Sequence, residues 1–329
     1  MINKWENKKV LITGANGFLA SWIVKNLLQL KADVWALNYE KVSFSIYGED
    51  NFEKYTHVIN GDIRDNISVM KLIREHKFEL IIHVGAQAIN KTALESPYET
   101  LETNIKGTYN ILEAVRTASP STKVIVASSD KAYGTHLNLP YVESYPLHGE
   151  YPYEVSKSCA DLISLAYFRS YNLPICIVRC SNIYGGGDWH FSRVVPATIV
   201  RILNSQPPIL ISNTKRDYIY AEDAARGYIK LAEAMFDGLK GEAFNFGNGV
   251  PVETDELLKL ILSLMNKDGL GIQKSTETRL EIPSQYLSIE KAKDLLGFSP
   301  TTSLSDGLKK TIEWYTNHIN DLLESKLID

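Results

Sequence analysis

The sequence has few cysteines and no long apolar segment. Its 329 residues include three cysteines, Cys159, Cys176 and Cys180, and no CxxC spacing. An odd number of separated thiols predicts reduced cysteines and a cytosolic protein. No apolar run approaches the roughly 20 residues that span a bilayer, so no membrane association is expected. The opening MINKWENKKVLIT enters a short strand without a signal-peptide apolar region, which again favours a cytoplasmic protein.

Metal-ligand spacing and excess positive charge are also absent. The seven histidines form no HxxxH or HExxH pattern, so no metal site is predicted. The net charge is −4, without the basic excess typical of nucleic-acid-binding proteins. Hydrophobic residues make up 44% and charged residues 22%, as in ordinary globular proteins. The length fits one large α/β domain with a smaller one.

The first 180 residues alternate short apolar segments with helical patterns. Strands are predicted at KKVLIT, ADVWAL, THVIN, FELIIHV, KVIVAS and PICIVRC, and long helices over residues 18–30, 98–117 and 152–171. Strands that are nearly all apolar suit a parallel sheet covered on both faces. The alternation predicts an α/β fold with a Rossmann-type doubly wound parallel sheet.

The pattern changes after Cys180. SNIYGGGDW is a glycine-rich loop, RVVPATIVRIL a helix broken at its start by Pro196, and TDELLKLILSLMN a helix capped by Thr254. EAFNFG is predicted to return to the first sheet. We therefore divide the chain into a first, Rossmann-type domain, residues 1–180 with returning segments at about 218–248, and a smaller mixed α/β domain, residues 181–217 and 249–329.

A glycine motif follows the first strand and begins the first helix. In TGANGFLA the spacing is Gly14-x-x-Gly17-x-x-Ala20. Glycines let the backbone approach a pyrophosphate, and the helix N-terminus supplies N–H donors; a tight turn is the alternative. The second strand ends at Asn38, where an acidic residue would select NAD. Because Asn38 is neutral and Lys41 lies nearby, NAD is the predicted cofactor with NADP left open.

Two later strand ends add candidates to this site. Asp62 in GDIRD is placed to meet the adenine amino group, with a turn aspartate as the alternative reading. Gly85 and Ala86 in HVGAQA are small enough for the backbone to pass close to the cofactor.

YEVSK places Tyr153 four residues before Lys157, on one face of a helix. Free tyrosine, with a pKa near ~10, is a poor base at neutral pH. A lysine ammonium beside it would favour tyrosinate. Such a pair also arises by chance, but here it follows a serine at a strand end and the glycine motif.

With these motifs the sequence resembles the extended short-chain dehydrogenase/reductases that act on nucleotide sugars. The resemblance covers essentially the whole length, through TGANGFLA, GDIRD, GAQ, NIKGT, SSDKAYG, YEVSK, RCSNIYG, RDYIYAEDAA, EAFNFG and KAKDLLGFSP. It implies a Ser129, Tyr153 and Lys157 triad, with hydride transfer from sugar C4 while Tyr153 takes the hydroxyl proton. The predicted cofactor-binding residues are Gly14, Asn16, Gly17, Phe18, Leu19, Asn38, Asp62, Ile63, Gly85, Ala86, Gln87, Asn104, Tyr153 and Lys157.

Asp130 and Lys131 directly follow the triad serine. In this family the 4,6-dehydratases carry there a base for the C5 proton and an acid for the departing C6 hydroxyl. An Asp-Lys pair with GGGDW, residues 185–189, resembles the CDP-glucose 4,6-dehydratases; a glycine loop closed by an aromatic side chain is the alternative for GGGDW. Lysine is a base only when neutral. Either Asp130 is the acid and Lys131 the base, or Lys131 stabilises the C5 enolate.

The resemblance also implies residues that hold the nucleotide sugar. Asn182, Arg193 and Arg216 match positions that contact the diphosphate, for which the planar guanidinium is suited; surface arginines are the alternative. Gln285 stands where many relatives have a phosphate-binding arginine, and Arg279 is the predicted replacement. The full predicted substrate set is Gln87, Ser129, Asn182, Arg193, Arg216 and Arg279.

Three functions remain open. A nucleotide-hexose 4,6-dehydratase, with CDP-glucose as substrate, is preferred. A 4-epimerase or reductase of the same fold would use Asp130 and Lys131 only as supporting polar groups. A non-catalytic nucleotide-binding protein would not need the whole triad. The helices over residues 98–117 and 152–171 are those that form homodimers in the family, so a homodimer is predicted; packing within one subunit is the alternative.

Overall fold

The computed structural model describes residues 4–40, 42, 45–277 and 282–324. The strands are β1 (Lys9–Thr13), β2 (Asp33–Asn38), β3 (His57–Asn60), β4 (Leu80–His83), β5 (Lys123–Ser129), β6 (Ile175–Cys180), β7 (Asn182–Tyr184), β8 (Ile209–Leu210), β9 (Lys215–Tyr220), β10 (Ala243–Phe246), β11 (Pro251–Glu253), β12 (Gln273–Lys274) and β13 (Ser284–Gln285). The helices are α1 (Phe18–Gln29), α2 (Ile46–Glu49), α3 (Asn66–His76), α4 (Asn90–Glu95), α5 (Pro97–Leu101), α6 (Gly107–Ala118), α7 (Pro152–Tyr171), α8 (Val194–Leu203), α9 (Ala221–Phe236), α10 (Thr254–Leu264), α11 (Glu290–Leu296) and α12 (Leu304–Glu324).

A seven-stranded sheet organises the first part of the chain. Its order is β10-β6-β5-β4-β1-β2-β3, and every neighbouring pair is parallel. From β1 the chain adds β2 and β3 on one side of the sheet and then β4, β5, β6 and β10 on the other side. In such sheets ligands bind at the carboxyl ends of the strands where the strand order reverses, here between β1 and β4. The predicted α/β, Rossmann-type doubly wound fold is confirmed.

Both faces of this sheet are covered. Along β1, Val10 and Ile12 belong to a core shared with α1 and α9, whereas Leu11 belongs to a second core shared with α3 and α6. Alternate side chains of a strand point to opposite faces, so a strand between two helical layers must be apolar throughout. This is why the strands read as continuous apolar runs.

The predicted helices agree with the structure in position and differ in detail. Helix α7 covers the predicted 152–171. The segment predicted as one helix over 98–117 consists of α5, a π-helical turn at Glu102–Lys106, and α6. The π-helical turn contains the buried Asn104.

Two local predictions were wrong. Pro196 does not break α8, because it lies in the first turn, where a backbone N–H has no partner within the helix. Thr254 is not a cap: Glu253 is the N-cap residue of α10, and the Thr254 hydroxyl donates to the Thr214 carbonyl at 3.0 Å.

A smaller sheet lies in the second part of the chain. Strand β9 pairs with β11 antiparallel and with β13 and β7 in parallel, and β8 pairs with β12 separately. Strand β10 returns to the large sheet beside β6, and α9 packs on α1. The division into two domains at the predicted boundaries stays a prediction. Within the described ranges, no helix combines the length and apolar character needed to cross a membrane.

Candidate active site

The loop after β1 approaches the loop after β4 closely. Gly14 has φ of +63°, and a Cβ there would lie 2.9 Å from the Gly85 Cα. Gly17 is the N-cap of α1, and no side chain of the described residues caps the helix. The N–H groups of its first turn are therefore available to a phosphate. This glycine cradle fits the pyrophosphate of a dinucleotide.

The predicted adenosine contacts are tied to neighbours within the chain. The buried Asn38 accepts from the Asn16 backbone N–H at 3.1 Å, and its side chain is also hydrogen-bonded to Tyr47. Asp62 binds the Arg64 guanidinium and backbone N–H at 2.8 Å each, as a turn aspartate does. Ile63 is buried beside Gly107. Lys41 lies outside the described residues.

Asn104 connects the loop after β4 to helix α7. It accepts from the Gln87 backbone N–H at 2.8 Å, and its amide nitrogen donates to the Gln87 carbonyl at 2.9 Å and to Ser156 Oγ at 2.8 Å. The loop that contains Gly85 and Ala86 is thereby fixed against the helix that contains Tyr153.

The three predicted triad residues lie together. Ser129 ends β5, and its hydroxyl is hydrogen-bonded to Tyr153 on α7. Burial raises the pKa of Tyr153 to about 12, against the opposing influence of Ser129 and Arg193. One turn later, Lys157 Nζ donates to the Ala127 carbonyl at 2.8 Å, and burial lowers its pKa to about 8. Because burial opposes charge on both groups, Tyr153 needs further positive charge, such as an oxidised nicotinamide, to act as a base.

A short 3₁₀ turn, Asp130–Tyr133, places Asp130 and Lys131 beside the triad. The turn is anchored by Tyr133, whose hydroxyl donates to Asn245 at 2.8 Å and accepts from Arg179 at 2.9 Å. Asp130 is only 1% exposed, and its carboxylate accepts a hydrogen bond from Ser129 Oγ at 3.0 Å.

Lys131 is surrounded mainly by neutral acceptors. Its Nζ lies 3.8 Å from the Asp130 carboxylate, 3.4 Å from Asn182 Oδ1 and 3.3 Å from Gln285 Oε1. The carboxylate is the most distant of the three, so Lys131 is not locked into a close ion pair.

The predicted arginines differ in their surroundings. Arg193 binds the buried Asp188 of GGGDW at 3.0 Å and lies over the Phe18 ring, at the entrance to the cofactor loop. Arg216 is buried in β9, where it pairs with Gln285 of β13. Arg279 lies outside the described residues.

The GGGDW segment packs against helices α1 and α12. The Trp22 indole donates to the Gly186 carbonyl at 3.1 Å, and the Tyr315 hydroxyl donates to the Asp188 carbonyl. Gly187 has φ of +83°, which favours glycine. The segment thus joins α1, α12 and Arg193.

Asp217 was missed by the sequence reasoning. It is fully buried and accepts backbone N–H groups from Asn248 at 2.8 Å and Gly249 at 3.1 Å, while burial raises its pKa to about 6. Its position beside Arg216 in RDYIYAED was the available signal. Gln285 was noted only as a departure from relatives, and nothing local to it indicated Lys131 as its neighbour. Within the described residues no cluster of His, Cys, Asp and Glu is arranged to hold a metal.

Comparison with known proteins gives consistent matches along the chain. The family model described as GDP-mannose 4,6 dehydratase matches residues 11–311. The CDP-glucose 4,6-dehydratase of Salmonella typhimurium is 30% identical over 95% of this chain and 92% of its own length.

Solved structures match over the same extent. The dTDP-glucose 4,6-dehydratase of Streptomyces venezuelae, solved with NAD bound, has 26% identity and a TM-score of 0.87, covering 95% of this chain and 98% of that one. The UDP-glucose 4-epimerase of Thermotoga maritima, solved with UDP-glucose, has 25% identity and the same TM-score, covering 94% and 99%. The chain therefore belongs to the GDP-mannose 4,6 dehydratase family, a nucleotide-sugar branch of the extended short-chain dehydrogenase/reductases, and is an enzyme of this type.

Proposed function

We propose that the protein is a nucleotide-hexose 4,6-dehydratase whose substrate is CDP-glucose. The observation that carries the proposal is that the buried Asp130 and the partly buried Lys131 directly follow Ser129, with Lys131 Nζ within reach of Asn182 and Gln285. A carboxyl group and an amine at this position supply the two proton-transfer groups that loss of water requires. The similarity to a CDP-glucose 4,6-dehydratase supports the choice of nucleotide.

The cofactor is NAD, as predicted from the glycine motif and as found in a solved relative. When bound, it accepts hydride from sugar C4 and returns it to C6. Residues Gly14, Gly17 and the first turn of α1 would hold its pyrophosphate, and Asn38 its ribose. NADP stays open because Asn38 carries no charge to repel a 2′-phosphate.

The chain's own residues divide the work between oxidation and elimination. Tyr153, hydrogen-bonded to Ser129, takes the C4 hydroxyl proton. A protonated Lys157 one helical turn away would favour the ionised tyrosine. The resulting 4-ketone acidifies the proton at C5. Asp130 and Lys131 then remove this proton and protonate the departing C6 hydroxyl, so that water leaves and a 4-keto-5,6-ene is formed. Hydride from the reduced cofactor at C6 and a proton returned to C5 would then give the 4-keto-6-deoxy sugar. Arg193 and Arg216 bind the diphosphate.

A panel of nucleotide sugars tests the proposal. The protein is incubated with the CDP, dTDP, UDP and GDP sugars, and 4-keto-6-deoxy products are followed by their base-induced absorbance. A signal with CDP-glucose above the others is expected. If a 4-keto-6-deoxy product formed from another nucleotide sugar instead, the proposed substrate would be wrong, but the proposed reaction would still hold.

A 4-epimerase is the second candidate, because an epimerase fold superimposes on this chain as well as a dehydratase does. Inversion at C4 without a ketone would identify it. The panel's products therefore distinguish the two reactions. A cytoplasmic location stays a prediction, consistent with free cysteines at positions 159, 176 and 180.

A further inference from the structure

Gln285 comes from a distant part of the chain into contact with Lys131. The two residues are 154 positions apart, and the Lys131 ammonium donates to Gln285 Oε1 at 3.3 Å. Gln285 is only 1% exposed. A hydrogen bond to a buried amide restricts the position of Lys131 more strongly than a hydrogen bond to a solvent-exposed amide would.

The register of the small sheet explains why two amides meet at Lys131. Gln285 of β13 pairs with Arg216 of β9, and Asn182 of β7 pairs with Tyr218. Residues two apart on a strand project to the same face, as do paired residues on neighbouring strands. Gln285, Asn182 and Arg216 therefore share one face of this sheet, turned toward the end of β5.

Half of the Gln285 amide remains available. Its Nε2 is buried and has no hydrogen-bond partner among the residues that the structure describes. A buried donor without a partner is unfavourable unless a ligand supplies the acceptor. The oxygen-rich substrate of the proposed reaction would provide one.

We propose that Gln285 is a positioning residue: its Oε1 holds Lys131 in the site, and its Nε2 donates to an oxygen of the bound nucleotide sugar. The inference rests on the proposed dehydratase function. According to this inference, substrate that binds at the small sheet helps to orient Lys131 through Gln285. Since the acceptor is a neutral amide, Lys131 is held without an additional negative charge.

The test separates oxidation at C4 from loss of water. In Gln285→Met the amide is removed and the side-chain length kept. In a single turnover, appearance of the reduced cofactor's absorbance reports C4 oxidation, and the 4-keto-6-deoxy sugar reports elimination. We expect elimination to fall by about tenfold to a hundredfold while oxidation changes by less than about threefold.

Two further variants control for folding and for the missing hydrogen bond. Gln273→Met, at an exposed position of β12, should behave as the wild type. Gln285→Glu keeps an acceptor of equal length and should recover elimination relative to Gln285→Met at some pH between about 6 and 9. All variants are compared for thermal unfolding and cofactor retention.

Several results would overturn the inference. Equal losses of oxidation and elimination in Gln285→Met would indicate a merely structural role, as would failure of Gln285→Glu to exceed it at any pH. Unchanged elimination in Gln285→Met would exclude the role directly. A wild-type protein that makes no ketone would instead refute the dehydratase itself, and this is seen before any variant is measured.

Discussion

Three consecutive side chains at the end of β5 have different surroundings. Ser129 contacts Tyr153, Asp130 turns into the protein, and Lys131 reaches across to the smaller sheet. The 3₁₀ turn after the strand causes this divergence, because its residues no longer alternate between two faces. Neighbouring residues can thus serve two stages of one reaction.

At this scale the sharpest prediction concerns Lys131. Lys131→Met should retain oxidation at C4 and lose at least about a hundredfold in formation of the 4-keto-6-deoxy product, because no other amine takes its place. Single-turnover absorbance and product analysis measure the two stages. The exposed Lys54→Met serves as control. Full product formation by Lys131→Met would refute its role.

At the scale of elements, the loops after β1 and β4 form one side of the proposed cofactor site. These loops pass so closely that Gly14 has no room for a side chain against Gly85. The ends of the two strands are joined below by His83, which is hydrogen-bonded to Thr13 at 2.9 Å and to Thr108 at 3.1 Å. Geometry here is set by close packing of whole loops.

Gly14→Ala should therefore weaken both folding and cofactor binding. A positive φ and the contact with Gly85 should together cost roughly 1–3 kcal/mol of unfolding free energy. NAD affinity should fall by more than about tenfold, measured by titration calorimetry. Gly269→Ala is the matched control, since a Cβ at Gly269 meets nothing within 4 Å. If Gly14→Ala and Gly269→Ala had the same stability and the same NAD affinity, the close approach of Gly14 to Gly85 would be contradicted.

His83 predicts a pH dependence of stability. Burial, aided by Lys157, lowers its pKa from 6.5 to about 3. Between these values the unfolded chain binds the proton that the folded chain excludes, so stability falls as pH falls below 6.5. From pH 7 to pH 5 the loss amounts to about 2 kcal/mol.

His83→Asn should remove this part of the pH dependence. Urea unfolding at both pH values measures it, whatever the variant's stability at pH 7. If the free energy of unfolding of His83→Asn fell between pH 7 and pH 5 by as much as that of the wild type, His83 would not titrate as stated.

At the scale of the whole molecule, one helical surface is free to contact a second copy. Helices α5, α6 and α7 pack on one another and leave large apolar side chains outside, among them Tyr98 at 75% and Leu162 at 54% exposure. Large exposed apolar residues in one region are typical of association surfaces. The predicted homodimer would use this surface.

Leu162→Glu should therefore convert a dimer into a monomer, because a buried unpaired carboxylate is unfavourable in an interface. Light scattering at micromolar concentration measures the mass. Leu295→Glu, on α11 and equally exposed, should remain dimeric. A monomeric wild type would refute the homodimer.

By itself the sequence was enough to predict the parallel sheet, the glycine loop after β1 and the proximity of Ser129, Tyr153 and Lys157, whose roles stay predictions. Each of these depends on short-range patterns: apolar strands covered on both faces, glycines between strand and helix, and a tyrosine one helical turn before a lysine. Even so, the π-helical turn at Glu102–Lys106 was not predicted, because no local pattern marks it. The effect of Pro196 was misjudged because the helix begins two residues earlier than a break at the proline would imply.

Only the tertiary structure decided what surrounds Lys131. Gln285 and Asn182 reach it because two short strands pair with β9 in a particular register, and such pairing depends on contacts between residues far apart in sequence. The burial of Asp217 has the same origin. Local sequence motifs indicate which functional groups a site contains. Pairing between strands far apart in sequence decides which neighbouring residues hold those groups in position.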